Sequence, residues 1–424
     1  MAAPLPLEGI RVLELAEGWA GPMTAMWLGD LGAEVIKIEA IQRYDHARGQ
    51  VNESRALPGY PNKSPGERPY DVAAAYIQAN RNKLDATIDL SRTRGVALFK
   101  ELVAVSDVVV TNMVTGVPEK MGIGYGDLAK IRPDLIMLIS SGYGASGPYA
   151  RRVTMGGAMD GIAGFTWLRH YPGQTPDTAT FSIHTDVVTG MNNAMAVQMA
   201  LFHRNRTGRG QVIETSGVEA SIHQIHVSLM DYALNGQVRT AHGNGHESLA
   251  PYGCYPCAGN DRWLTITVYS KGQWRALCNA MGNPAWSREA RFATMAERVK
   301  HREALHERIG EWTKGQEQME LMHRLQRAGI PAGAVYDQSQ VARDPHYAER
   351  GAFQRVTLKG YGEYPIPTSP WTIAGRHAGA RRPPPRLAEH NDYVFRELLH
   401  LRRETIEGLR REEYIGERPV QKAI

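Results

Sequence analysis

Along the first third of the chain, short continuous apolar runs alternate with stretches whose apolar residues recur at helical spacing. A short apolar run closed by glycine or polar residues predicts a strand buried on both faces, and the intervening pattern predicts a helix. Strands are expected over 7–16, 33–39, 82–90, 107–112 and 135–140. Helices are expected over 18–31 and 93–105, with short helical turns at 117–121 and 125–131. Such alternation predicts an α/β fold with a doubly wound parallel sheet. Residues 40–70 break the pattern: they are polar, carry Pro and Gly, and read as a long surface loop containing Asp45 and Arg48.

Further on, 187–204 predicts a helix kept thin by Gly190, Ala194, Ala196 and Ala200, followed by a basic, glycine-rich turn and a strand over 211–215. One long helix is expected over 216–240. The pattern then shifts to antiparallel strands at 252–257 and 263–268, with helices near 272–281, 299–313 and 316–328. Short strands follow within 351–375, prolines 383–385 read as a rigid connector, and 389–409 as one or two closing helices. The expected division is 1–215 for the first part of a large domain, 216–242 for a linker helix, 243–340 for a smaller α+β domain, and 341–424 for a return segment.

At 424 residues, with 42% hydrophobic and 22% charged, the chain has the composition of a soluble globular protein of more than one domain. A net charge of +5 without a lysine or arginine block points to an anionic ligand and away from nucleic acid. Three cysteines fit a reducing compartment, and a cytoplasmic location is expected. Cys254 and Cys257 form a lone C-x-x-C with no second pair to complete a metal site. No apolar run is long enough for a membrane span and the N-terminal residues do not read as a secretory signal.

Asp186 stands at the start of the 187–204 helix, where free backbone N–H groups favour a carboxylate and keep it ionised at neutral pH. An Asp there is most often a cap, and local features permit a nucleophile without requiring one. His184, two residues earlier, would share a face with Asp186 on extended backbone. Gly142–Gly147 matches G-x-G-x-x-G after a strand, and Glu39 ends another, as in a nicotinamide-binding unit. The two do not belong to one strand–helix–strand unit, so a phosphate turn without nicotinamide is the better reading.

Several phrases in order along the chain carry a resemblance. They are Leu7-Glu-Gly-Ile-Arg-Val-Leu-Glu14, Ala20-Gly-Pro22, Leu31-Gly-Ala-Glu-Val-Ile-Lys-Ile-Glu39, Asn80-Arg-Asn-Lys83, Lys120-Met-Gly122, Ser141-Gly-Tyr143, Asp186, Thr207-Gly-Arg-Gly-Gln211, Gly329-Ile-Pro-Ala-Gly333 and Asp344-Pro345. Together they resemble the class III CoA-transferases, the group of formyl-CoA and carnitine CoA-transferases, whose relatives include α-methylacyl-CoA racemase. The resemblance implies a Rossmann-like large domain built from both chain ends, a smaller α+β domain and an interlocked homodimer. It implies acyl-CoA and small carboxylic acids as substrates, succinyl-CoA among the donors, and no tightly bound cofactor or metal.

The resemblance places the family's catalytic aspartate on Asp186, which would form an acyl anhydride and then an aspartyl-CoA thioester. For CoA it implies Trp19 and Ala20 near the thioester, Ile88, Asp89, Leu90 and Ser91 near the adenine, and Asn112, Met113 and Val114 after the fourth strand. Lys120, Arg151 and Thr154 belong to the same set. The basic residue expected after the second strand is replaced by Ala40, with Arg43 or Arg48 as substitutes. Gly243, Asn244 and Gly245 match an active-site glycine loop. The racemase relatives pair a His and a Glu with the aspartate. Here Arg152 or Met159 stands for the His and Ser270 for the Glu, which speaks against α-proton exchange. A racemase, a nicotinamide oxidoreductase and a non-catalytic CoA-binding protein are the rival readings.

Overall fold

The computed structural model describes residues 4–55, 58–180 and 182–420. The chain divides into two compact units, one of Met1–Phe165, Phe181–Val227 and Glu349–Ile424, the other of Thr166–Thr180 and Ser228–Ala348.

The first unit is built on six parallel strands: β1 (Arg11–Leu15), β2 (Glu34–Glu39), β3 (Lys83–Thr87), β4 (Val108–Thr111), β5 (Ile136–Ser141) and β6 (Gln211–Ser216). Their order is β3-β2-β1-β4-β5-β6, the order of a Rossmann sheet. Helix α1 (Ala20–Asp30) follows β1, α2 (Thr93–Ala104) follows β3, and α3 (Gly156–Ile162) and α4 (His184–Thr207) lie between β5 and β6. One sheet face packs Val12, Val35 and Val110 against Met26 and Leu28 of α1 and Val197 and Leu201 of α4. Gly190 lets α4 approach α1: a Cβ there would lie 2.9 Å from that of Met23. The other face packs Leu13, Ile36 and Val109 against Phe99 and Leu102 of α2 and against Val394, Phe395, Ile406 and Leu409 from the far end of the chain.

Where one helix is expected over 216–240, the chain makes α5 (Gly217–Ile222), a tight turn of helix at His223–Ile225, and α6 (His226–Asn235). Ser216 caps α5 by accepting from the Glu219 N–H at 3.2 Å. The second unit contains α6 and the antiparallel sheet of β7 (Tyr252–Pro256), β8 (Trp263–Thr267) and β9 (Ala332–Val335). Leu264, Ile266, Trp274, Leu277, Phe292, Leu305, Ile309 and Leu321 form its core. Among the described residues no helix is long and apolar enough to cross a membrane.

The parallel strands also carry charges that the apolar pattern does not explain. Glu14 of β1, Lys37 of β2 and Lys83 of β3 are all buried. Lys37 Nζ lies 2.8 Å from Glu14 and 2.9 Å from Asp45, and Lys83 Nζ lies 2.6 Å from Glu14. Burial alone would lower the Lys37 ammonium; Asp45 and Glu14 overturn that and hold it well above its ordinary value. For Lys83 burial wins and pushes the pKa down to about 8. Removing one partner of such a cluster leaves an uncompensated buried charge. Lys37→Met is therefore expected to lower the unfolding free energy by about 3–5 kcal/mol, read as a fall in the urea midpoint. Lys130→Met, at an exposed pair with Asp127, is expected to shift it by less than about 0.5 kcal/mol.

Candidate active site

In a sheet of this order, the crevice beyond the C-terminal ends of β1 and β4 is where the chain's connections diverge and ligands bind. A cavity of about 170 Å³ lies there. Glu17–Ala20 line it from the β1–α1 turn, Asn112 from the end of β4, Ser140–Gly142 from the end of β5, and Asp186 and Thr189 from α4. Thr154, Met155, Gly156 and Met159 complete the wall with His46 and Gly217.

Asp186 sits inside the first turn of α4, which begins at His184 after the cap residue Ile183. Its carboxylate accepts no hydrogen bond from any described residue. A Cβ at Gly156 would collide with Asp186 Oδ2, so the glycine at the start of α3 is what gives the carboxylate its place. Burial, then the nearby Asp160, push the Asp186 pKa up to about 6, while His46 pulls the other way. The helix start favours the ionised form, burial and a second carboxylate oppose it, and the group stays mostly ionised at neutral pH. Asp160 is itself buried, accepts from the Thr185 N–H at 3.2 Å and from the Thr185 hydroxyl, and leaves its Oδ2 without a hydrogen-bond partner among the described residues. The buried hydroxyls of Ser141, Thr154 and Thr189 also lack one.

The β1–α1 turn is held from below. Gly18 N–H donates to Asp45 Oδ1 at 2.8 Å, Lys37 Nζ donates to the Ala16 carbonyl at 2.7 Å, and Lys83 Nζ to the Pro22 carbonyl at 2.9 Å. Asn112 clasps the turn, accepting from the Glu17 N–H at 3.1 Å and donating to the Glu17 carbonyl at 2.7 Å. Helix α1 then begins at Ala20 with no side-chain cap, so its first N–H groups have no partner within the helix.

The structure brings Trp19, Ala20, Asn112 and Thr154 to the cavity with Asp186. Arg43 reaches its mouth through Glu17, at 3.4 Å. Arg48 is the main departure. It is fully buried, with its guanidinium 2.7 Å from Glu39, 3.0 Å from Asp85 and 3.3 Å from Asp71, and it donates to Tyr76 OH at 2.7 Å. Its donors hold the loop to the sheet and leave nothing for a phosphate. Ile88, Asp89 and Leu90 are buried beyond β3, with Asp89 accepting from Ser91 N–H and hydroxyl at 3.0 and 2.6 Å. Met113 and Val114 are half-buried, Lys120 and Arg151 exposed. Gly243, Asn244 and Gly245 lie in the second unit, where Asn244 donates to Tyr171 OH at 3.0 Å.

Two other expectations change, and the racemase positions stay unsuited. His184 is helical, so it does not share a face with Asp186; its ring stacks on Phe165 at 5.0 Å between centroids. The 142–147 turn is no phosphate cradle: Glu214 takes the Ala145 N–H and puts a carboxylate there. Ser270 caps a helix of the second unit, accepting from Gln273 N–H at 3.2 Å, and Met159 has no proton to exchange. Sequence reasoning passed over His46, Asp160, Thr189 and Gly156. The pair Gly156-Gly157 ahead of a helix was the available signal.

The family model described as CoA-transferase family III matches residues 7–391. The chain is 30% identical to the alpha subunit of succinyl-CoA–L-malate CoA-transferase of Chloroflexus aurantiacus, over 97% of this chain and 93% of that one. It is 32% identical to succinate–glutarate CoA-transferase of Agrobacterium fabrum, over 95% and 96%. A crystal structure of a CaiB/BaiF family protein from Brucella suis superposes with a TM-score of 0.82 at 30% identity, covering 93% of this chain and all of that one. The chain belongs to the class III CoA-transferase family and is an enzyme of that class.

Proposed function

We propose that the protein moves CoA from succinyl-CoA to a small carboxylic acid through covalent intermediates on Asp186. One observation carries this reading: a carboxylate with no hydrogen-bonding partner among the described residues, ionised at neutral pH, on the wall of the cavity at the sheet's switch point. Hydrogen bonds would lower its nucleophilicity, and none reaches it from the described residues.

Asp186 attacks the thioester carbonyl, the C–S bond breaks, and the electron pair leaves on sulfur. The product is a mixed anhydride and CoA thiolate. The thiolate attacks the aspartyl carbonyl and the donor acid leaves as its carboxylate, giving an aspartyl-CoA thioester. The acceptor carboxylate then runs both steps in reverse. No step consumes or releases a proton, so the site needs a nucleophile and stabilisers of negative charge but no general acid. The free N–H groups opening α1 and the hydroxyls of Ser141, Thr154 and Thr189 are suited to the developing oxyanions. The racemase relatives pair a His and a Glu with the aspartate; here Arg152, at the His position, is exposed, its alternative Met159 carries no exchangeable proton, and Ser270, at the Glu position, caps a helix of the second unit. The exposed Lys120 and Arg151 are suited to the CoA phosphates. Succinyl-CoA or succinate stands in the names of the relatives from Chloroflexus aurantiacus and Agrobacterium fabrum, whose partner acids are L-malate and glutarate.

We also propose a homodimer. On α4, Met191, Met195, Met199 and Phe202 follow one another at helical spacing and are 47%, 56%, 64% and 65% exposed. A stripe of large apolar side chains on one helix face supports burial against a second copy.

Incubation with succinyl-CoA followed by hydroxylamine is expected to leave a hydroxamate on Asp186, found by peptide mass spectrometry. Asp186→Asn should give none and lose at least about 10³-fold in transfer rate. If Asp186→Asn still turns over near the wild-type rate, the mechanism is wrong. The raised carboxyl pKa means that the folded state binds this proton more tightly than the unfolded chain, so ionisation above about pH 6 costs stability. Asp186→Asn is accordingly expected to melt no lower than wild type at pH 7. The rate kcat/KM should fall about tenfold per pH unit below about 6; a flat profile from 6 down to 4 would exclude Asp186 as the titrating nucleophile. Light scattering should report a dimer for the wild type and a monomer for Met195→Glu combined with Met199→Glu.

A further inference from the structure

The transfer produces anions at each step beside a site already acidic, with Glu17 and Asp186 on the cavity wall and Asp160 nearby. Among the described residues lining that cavity, His46 is the one basic side chain. It extends from the loop after β2 and packs beside Gly18 of the β1–α1 turn. A Cβ on Gly18 would lie 3.0 Å from His46 Cε1, and Gly18 has a φ of +77°, so the turn leaves the ring its place. Nδ1 lies 3.8 Å from Glu17 Oε2 and 4.0 Å from Asp45 Oδ1. The ring side chain is 58% exposed, which leaves it open to a reactant.

The sulfur released in the first step has a specific need. A free thiol titrates near about 8.5, so at neutral pH an unassisted thiolate becomes an inert thiol before it can make its return attack. A neighbouring imidazolium keeps sulfur in the thiolate form. We propose that protonated His46, oriented by Glu17, holds the released CoA sulfur as the thiolate between its departure from the acyl group and its attack on the Asp186 carbonyl. The inference rests on Asp186 being the nucleophile. The balance is unchanged: the sulfur electron pair that leaves the donor carbonyl forms the bond to the aspartyl carbonyl, and His46 keeps its proton.

The groups around His46 favour its charged form. Glu17, from the turn after β1, is the foremost cause of a pKa above the usual value, with Asp45 of its own loop adding to it. Partial burial and Lys37 of β2 oppose this. Arg43 shares the Glu17 carboxylate at 3.4 Å, and Asp186 faces the ring's charge from α4.

The test is exchange of isotopically labelled succinate into succinyl-CoA, which runs both attacks and needs no acceptor acid. Wild type is expected to show a rate that falls on the acid side with Asp186 and on the basic side with His46. His46→Gln should lower the maximal exchange rate about tenfold to a hundredfold, change KM for succinyl-CoA by less than about threefold, and lose the basic limb. His46→Lys should recover most of the rate and carry it to higher pH. Glu17→Gln should move the basic limb to lower pH, which decides the matter even if His46→Gln melts early. A His46→Gln enzyme that exchanges within twofold of wild type, or that keeps the basic limb, overturns the inference while hydroxamate on Asp186 still stands. A wild type with neither exchange nor hydroxamate removes the Asp186 reading and this inference together.

Discussion

Two buried lysines on neighbouring strands hold the turn between β1 and α1 in place. Lys37 and Lys83 both pair with Glu14 of β1, and beyond that pairing each donates to a backbone carbonyl of the segment that follows β1. Lys37 takes Ala16, before the turn; Lys83 takes Pro22, after it. Between those points the chain must bend sharply from strand to helix, present free N–H groups and leave the cavity open. Asp45, paired with Lys37, adds a third tie through the Gly18 N–H. Burying charges in a parallel sheet is expensive, and an apolar set of similar volume would be as stable or more so. What the charged set adds is direction: each ammonium has several donors at fixed angles and can bind a carboxylate and a carbonyl at once. The interior of the sheet thereby sets the geometry of a loop at its edge.

The same logic recurs one loop away. Arg48 gathers Glu39, Asp71, Asp85 and Tyr76, and so closes the long 40–70 excursion against β2 and β3. With the loop pinned there, His46 falls at the cavity and Asp45 beneath the β1–α1 turn. A residue that the resemblance offers as a CoA contact positions instead the loop that carries His46 to the cavity.

The fold was largely legible because apolar runs report burial directly. The parallel strands and α1, α2 and α4 lie within a few residues of where the pattern puts them. The helix over 216–240 was not, because nothing in its composition marks the break at His223–Ile225; the apolar spacing runs through it. The family resemblance named Asp186, Trp19, Ala20, Asn112 and Thr154, and these five line one cavity. Arg48 misled because an arginine in a polar loop looks the same whether its partners are a ligand or three carboxylates distant in sequence. His46, Asp160 and Gly156 went unnoticed for the related reason that their meaning lies in what they face. A glycine that must make room for a carboxylate some thirty residues on carries no local mark.

Asp186, the proposed nucleophile, shows how opposing influences set the basicity of a carboxylate. The first turn of a helix favours the ionised carboxylate and, through hydrogen bonds, would also drain its basicity. Here the helix start is present but no described residue donates a hydrogen bond to the carboxylate, and burial with Asp160 drives the pKa to about 6. A carboxylate with an ordinary pKa would be ionised but a weaker base, and so a weaker nucleophile. One raised well above 7 would be mostly protonated and idle. The value that maximises ionised fraction times basicity lies just under the working pH. Asp160 is thus more than a nearby charge. It anchors Thr185 in the same turn that carries Asp186, so one residue both helps place that carboxylate and adds to the effect of burial on its basicity. That coupling makes the carboxylate's reactivity a property of how α3 and α4 pack, and Gly156 at the start of α3 is the point where the packing leaves room for it.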